Sequence, residues 1–317
     1  MRFEYLRRRQ ITEGELSSRD WNLCLSAFNS SERVQRIWMA MPHSAVRLRV
    51  AHPEYGYESH ECPSDVLHSP AGVDDEAAFV KWMLDVGKTR LGEDLKTARL
   101  MIDITGFMRA ELVHLFQVLR SAGVCSLDCV YAEPAMYRRK AWTGFSKGVK
   151  QVRQVRGCEG THELSHTKSV LVIGAGYDDT LMSAVAESKA GARKVMLFGL
   201  PSLAMDMYQE GVWRVSKAAE SIGAPVLSRS SDTLYAPAND PFVTADVLYD
   251  FATRVLDGST SIYLCPLGTK TQVLGFALCY AKLGNLAPAS VLLPFPHQYE
   301  RETGSGLGRI WEYEVQL

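Results

Sequence analysis

SIYLCPLGTKTQVLGFALCYAK, residues 261–282, opens with a short apolar run containing isoleucine, tyrosine and leucine. The run breaks at a Pro-Leu-Gly-Thr-Lys turn and continues as a longer apolar stretch. A short apolar run bounded by turn residues reads as a buried strand, and the longer stretch reads as a helix. A strand passing directly into an apolar helix is the repeating unit of α/β proteins. The turn sets Gly268, Thr269 and Lys270 between the carboxyl end of the strand and the start of the helix. Unpaired backbone N–H groups and the helix dipole favour anionic ligands at such a place.

The same alternation extends through residues 168–293. SVLVIG (169–174) predicts a strand ending in Gly-Ala-Gly, and residues 178–190 predict a helix with Leu181, Met182, Val185 and Ala186 on its apolar side. KVMLFG (194–199) is a second strand, and residues 203–222 a second helix stopped by Gly223-Ala-Pro. A weak strand at 226–228, a polar loop, a helix over 241–256 and a last strand SVLLPF (290–295) complete the series. Residues 31–41, 75–90 and 108–119 predict helices in the first half, with strands at 45–51, 99–104 and 126–132. LMIDITGFMRAELVHLFQVL and IYLCPLGTKTQVLGFALCYA run in phase, by diverged duplication or by the convergence of any two βα units. Residues 138–167 are basic and aperiodic and read as a long connection. The expectation is an α/β protein with Rossmann-like, doubly wound, mostly parallel sheets. Its boundary falls near 165, giving an N-terminal α/β half (1–165) and a Rossmann-like ligand-binding half (166–317).

With 46% hydrophobic and 22% charged residues among 317, the chain has the composition of a globular protein. A net charge of −1 does not indicate nucleic acid or an anionic membrane as partner. No window approaches the roughly 18 apolar residues of a membrane span, and no apolar segment follows Arg7, Arg8 and Arg9 to make a secretory signal. Seven irregularly spaced cysteines do not read as a disulfide framework. The chain reads as soluble and cytoplasmic.

Several constellations carry chemistry. In the Gly268-Thr269-Lys270 turn the glycine admits a ligand, the hydroxyl bonds it and the lysine neutralises its charge; a plain βα turn with a solvated lysine is the other reading. It is not a P-loop, because G-x-x-x-x-G-K-[ST] is absent. Asp103-Ile-Thr105-Gly106, with Arg109 following, occupies the corresponding place in the first half, to hold a ribose or cation, or to cap the next helix. Gly174 and Gly176 form half of a dinucleotide fingerprint whose third glycine is missing, so no nicotinamide or flavin cofactor is expected. His52, His60, Cys62 and His68 lack metal-site spacing and read as surface-loop residues, with no metal expected. Glu133 and Glu159 are candidate acids or bases, as is Asp103, although none has an evident partner in sequence. Arg301 and Ser305 either close over a phosphate or belong to a C-terminal hairpin covering the sheet edge. Ser30 and Ser31 are candidate caps of the helix that follows.

The SVLVIGAGYDD opening and the Gly268-Thr269-Lys270 turn late in the series resemble CARF (CRISPR-associated Rossmann fold) sensor domains over residues 168–293, with Asp103-Ile-Thr-Gly as a loose echo. The resemblance implies an oligonucleotide second messenger held at these turns across a homodimer, within a bacterial defence assembly that includes a protein partner. Departing from that family, no nuclease or helix-turn-helix effector follows, and the first half reads as further α/β structure. The leading expectation is a sensor or regulatory module for a nucleotide or other phosphorylated ligand. The alternatives are an enzyme hydrolysing or transferring a nucleotide or nucleoside group, and an interaction subunit without a small ligand.

Overall fold

The parallel strands form two separate sheets. The computed structural model describes residues 7–137, 146–160, 168–223, 230–284, 288–301 and 304–317. The chain divides into a flanking unit, Leu6–Thr143 together with Gln298–Leu317, and an inserted unit, Gly144–His297.

The flanking unit begins with β1 (Arg8–Ile11), α1 (Glu13–Ser17), β2 (Leu23–Phe28) and α2 (Glu32–Ala40). There follow β3 (Val46–Ala51), β4 (Val66–His68), α3 (Glu76–Leu91), β5 (Leu100–Asp103), α4 (Arg109–Ser121) and β6 (Ser126–Ala132). β2 is buried along its whole length and pairs in parallel with β3 and β5, while β4 and β6 extend the sheet on either side. Strands covered on both faces have no polar alternation, which is why LCLSAF is apolar except for Ser26.

The inserted unit contains β7 (Gln151–Gln154), β8 (Lys168–Gly174), α5 (Asp179–Ser188), β9 (Arg193–Gly199), α6 (Met207–Lys217) and α7 (Ala219–Ile222). It continues with β10 (Thr233–Ala236), α8 (Pro241–Val255), β11 (Thr260–Pro266), α9 (Lys270–Leu283) and β12 (Ala289–Phe295). β8 is central, with β9 and β10 to one side and β11 and β12 to the other, all parallel; β7 closes the β12 edge antiparallel. Helix starts are fixed by side chains. Asp178 accepts from Leu181 N, Asp240 from Phe242 N and Val243 N ahead of Pro241, and Thr269 with Gln272 makes a capping box.

The chain then returns to the flanking unit as β13 (Ile310–Gln316), antiparallel between β1 and β6. The C-terminal segment is therefore a full strand of the sheet rather than a hairpin over its edge: Ile310, Tyr313 and Val315 are buried. The division differs from a single boundary near 165 at both ends. β7 already pairs with β12 well before that position, and β13 carries the C-terminus back to the first sheet. The helix expected over 203–222 is two pieces, α6 and α7, and β10 forms where a polar loop was expected. The weak strand at 226–228 lies outside the described residues. Among the described residues no helix is long and apolar enough to cross a membrane.

Tyr313 is fully buried in β13. Tyr313→Ala is expected to lower the stability of the flanking unit by about 3–5 kcal/mol, as for other large-to-small aromatic core changes. Denaturant unfolding followed by circular dichroism measures it; a loss below about 1 kcal/mol contradicts β13 as a core strand.

Candidate functional site

In both sheets the first parallel strand has the second on one side and the fourth on the other, so the strand order reverses there. Ligands of open α/β sheets occupy the crevice at such a switch point. In the inserted unit this crevice lies between the loop following β8 and the loop following β11, and the two touch. A Cβ on Gly176 would lie 2.4 Å from the Leu267 carbonyl oxygen, and one on Gly268 would lie 2.2 Å from Gln272 Oε1. The sequence-predicted Gly174, Gly176, Gly268 and Thr269 are thus brought together, and Lys270 is the first residue of α9.

A small pocket opens beside these loops. Ala175 and Tyr177 line it from the β8 loop, Phe198 and Gly199 from the end of β9, and Ser202 and Leu203 from the segment that follows. Met207, Tyr208 and Gly211 of α6, Ala238 after β10, and Thr269 and Gln272 at the start of α9 complete it. None of these side chains is charged. Phe198 meets Tyr208 edge-on at 5.8 Å and stacks with Tyr235 at 6.2 Å; a hydrogen bond between Tyr208 and Tyr235, followed by burial, raises the Tyr208 phenol. Tyr177 donates its hydroxyl to Met207 O at 3.2 Å.

Two polar features of the sequence serve the walls instead of the interior. Thr269 Oγ1 donates to Ala238 O at 2.5 Å and also accepts from Gln272 N, while Thr271 bonds the same Ala238 carbonyl. The threonines therefore tie α9 to the loop after β10. Asp179 pairs with the buried Arg214 at 2.9 Å, and Arg214 also pairs with Glu210, which fixes α6 against α5. Sequence reasoning missed Phe198, Tyr208 and Gln272, since each sits in an apolar or helical run that reads as core.

The flanking unit places its candidates differently. Asp103 is fully buried at the end of β5, accepting from Ser26 Oγ at 2.9 Å and Thr105 N at 3.0 Å; it does not cap α4, whose N-cap is Met108. Thr105 Oγ1 accepts from Ala132 N, and Gly106 sits where a Cβ would come 2.2 Å from Ala27 O. Glu133, buried, takes Arg309 Nε at 2.7 Å and Trp311 Nε1 at 2.8 Å, which makes it a strut for β13. Glu159 lies in the inserted unit after β7, and its backbone carbonyl accepts from Gln154 Nε2. Arg301 does not face an open anion site. It bonds Tyr55 O at 2.9 Å and Glu61 Oε1 at 2.7 Å, covers the Tyr57 ring, and pulls the Glu61 carboxyl down to about 2. Ser305 belongs to a two-residue strand pairing with Met136. Ser31 is the N-cap residue of α2 but makes no side-chain cap bond, and Ser30 Oγ accepts from Tyr57 Oη.

His52 is the correction to the surface-loop reading. It is 1% exposed, stacks on Phe79 at 4.6 Å, and accepts from Met108 N at 3.3 Å. His60 does lie at the surface. Ligand atoms of His52, Glu54 and Glu111 fall within 4.8 Å of one another. Burial, then Glu76, raises the Glu54 carboxyl. Arg109 hydrogen-bonds Tyr299, whose phenol lies close enough to Glu111 and Glu54 to be raised by them beyond the main effect of burial. Tyr299 thus stands between Arg109 and the two glutamates of this cluster.

Burial raises the Asp103 carboxyl above its ordinary 3.8, against the hydrogen bonds from Thr105 and Ser26. An acid whose pKa rises on folding binds its proton more tightly in the folded state, so stability falls as pH climbs from the ordinary value through the raised one. Asp103→Asn, which keeps an acceptor for Thr105 N, is expected to flatten that fall. Chemical denaturation from about pH 4 to pH 8 measures it, and an unchanged slope overturns the assignment. No protein-family model matches this chain, and no curated protein matches it.

Proposed function

We propose that the chain is a binding module, a sensor or regulatory protein whose inserted unit takes a nucleotide or another phosphorylated small molecule in the pocket beside its switch point. The observation that carries this reading is the aromatic-walled pocket at the carboxyl edge of β8, β9 and β10, beside the first turn of α9. Its mostly apolar walls with a few polar groups have the composition of small-ligand sites. The α9 N-terminus next to it favours negative charge, and Lys270 opens that helix. The proposal extends to the CARF resemblance and, with it, to a role in a bacterial defence assembly. Two of the three carboxylates considered for catalysis favour binding over turnover, since Asp103 and Glu133 are committed to internal hydrogen bonds.

Gly211 gives a direct test. It lies in α6 and lines the pocket, and a Cβ there meets nothing nearer than Phe198 at 3.8 Å. Gly211→Met is expected to fill the pocket while raising unliganded stability by about 0.5–1 kcal/mol through helix propensity. Thermal unfolding with a panel of mono-, di- and cyclic nucleotides should show ligand stabilisation in the parent chain and none in the variant. Equal stabilisation of both places the ligand elsewhere and overturns the proposal.

A further inference from the structure

Gln272 is 1% exposed and lies on the first turn of α9, in the wall of the pocket. Its carboxamide has a fixed sense. Oε1 accepts from Thr269 N at 3.3 Å, completing the capping box. A flipped amide would set donor against donor there. The orientation leaves Nε2 beside Gly199, where a Cβ would come within 3.5 Å of it. Nε2 has no hydrogen-bond partner among the described residues. A buried donor left unmade is costly, and native structures leave few of them.

We propose that Gln272 Nε2 determines the specificity of this pocket by donating to a hydrogen-bond acceptor on the edge of an uncharged heteroaromatic ring, the base of a nucleoside or nucleotide. This rests on the reading of the inserted unit as a nucleotide-binding module and names which end of the ligand enters. The acceptor is a ring nitrogen or a carbonyl oxygen, because the fixed amide offers N–H and nothing else. The enclosure favours a ring. Phe198, Tyr177 and Tyr208 supply flat apolar walls, and aromatic faces hold a planar base by stacking. A phosphate in the same enclosure would meet no cationic side chain, and an unpaired buried charge is far costlier than a buried neutral ring. The phosphates of the ligand therefore stay outside the enclosed volume.

The test is isothermal titration of the full chain with adenosine, inosine, uridine and cytidine, and with ribose 5-phosphate and inorganic phosphate. At least one nucleoside is expected to bind while the two base-free phosphates do not. Gln272→Glu keeps the cap, since its carboxylate still accepts from Thr269 N, but replaces the donor by an acceptor. It should weaken the nucleoside at least about tenfold with the unliganded melting temperature retained. Gln272→Met, similar in shape and without a donor, should show the same loss and stands in if the buried carboxylate disturbs folding. Unchanged nucleoside affinity in both variants overturns the inference. So does binding of ribose 5-phosphate without any nucleoside, which leaves the phosphorylated-ligand function standing. If neither these probes nor the nucleotide panel binds, the function falls and the inference with it.

Discussion

Backbone meets backbone at both switch points, and the rest of each unit is arranged around that contact. In the inserted unit the loop after β8 presses Gly176 onto the Leu267 carbonyl, and in the flanking unit Gly106 presses onto the Ala27 carbonyl. A Cβ at either glycine would stand 2.4 Å or 2.2 Å from the facing oxygen, closer than any side chain tolerates. Only glycine therefore lets the first and fourth strands keep their loops in contact. These glycines act through packing. They close the sheet's carboxyl edge at the centre, and they displace any ligand space sideways.

That displacement explains where the pocket of the inserted unit lies. It opens over the ends of β8, β9 and β10, walled by α6, instead of directly above the Gly268-Thr269-Lys270 turn. The turn still matters, but as architecture. Thr269 and Thr271 hold the Ala238 loop, Gly268 leaves room for the Gln272 carboxamide, and the capping box fixes that amide's sense. A residue chosen from the sequence for its own chemistry turns out to position a neighbour.

The fold was legible because its signals are local. Continuous apolar runs such as SVLVIG and KVMLFG, stopped by glycine and followed by helical spacing, define β8 and β9 within a residue or two. β2 escaped because LCLSAF lies among weak turn punctuation, although it is as apolar as β8. β13 escaped because its partners are remote. IWEYEVQ alternates like an edge strand, yet its polar Glu312 is buried by Arg9 and Arg19 rather than by solvent. At the site the glycines and the helix start were legible, whereas Phe198, Tyr208 and Gln272 were not. Aromatic and amide side chains inside regular elements look the same whether they fill a core or wall a cavity. The charged candidates Glu133 and Arg301 misled for the complementary reason. Their partners, Arg309 and Glu61, are far away in sequence.

The two sheets bear on descent as well as function. Both place the first parallel strand centrally, the second and third to one side and the fourth and fifth to the other, and both add an antiparallel strand beside the fifth. The parallel part of that order is what any doubly wound sheet built by right-handed crossovers adopts. The antiparallel strand is more informative, because the chain supplies it from opposite ends. In the inserted unit β7 precedes the first parallel strand, while in the flanking unit β13 follows the fifth after the whole inserted unit has intervened. The edge strand is therefore not part of any repeat that the two units share. Both fifth strands carry an open edge that must be paired, since unpaired backbone N–H and C=O groups on a sheet edge are a liability. Each unit draws that pairing strand from a different part of the chain.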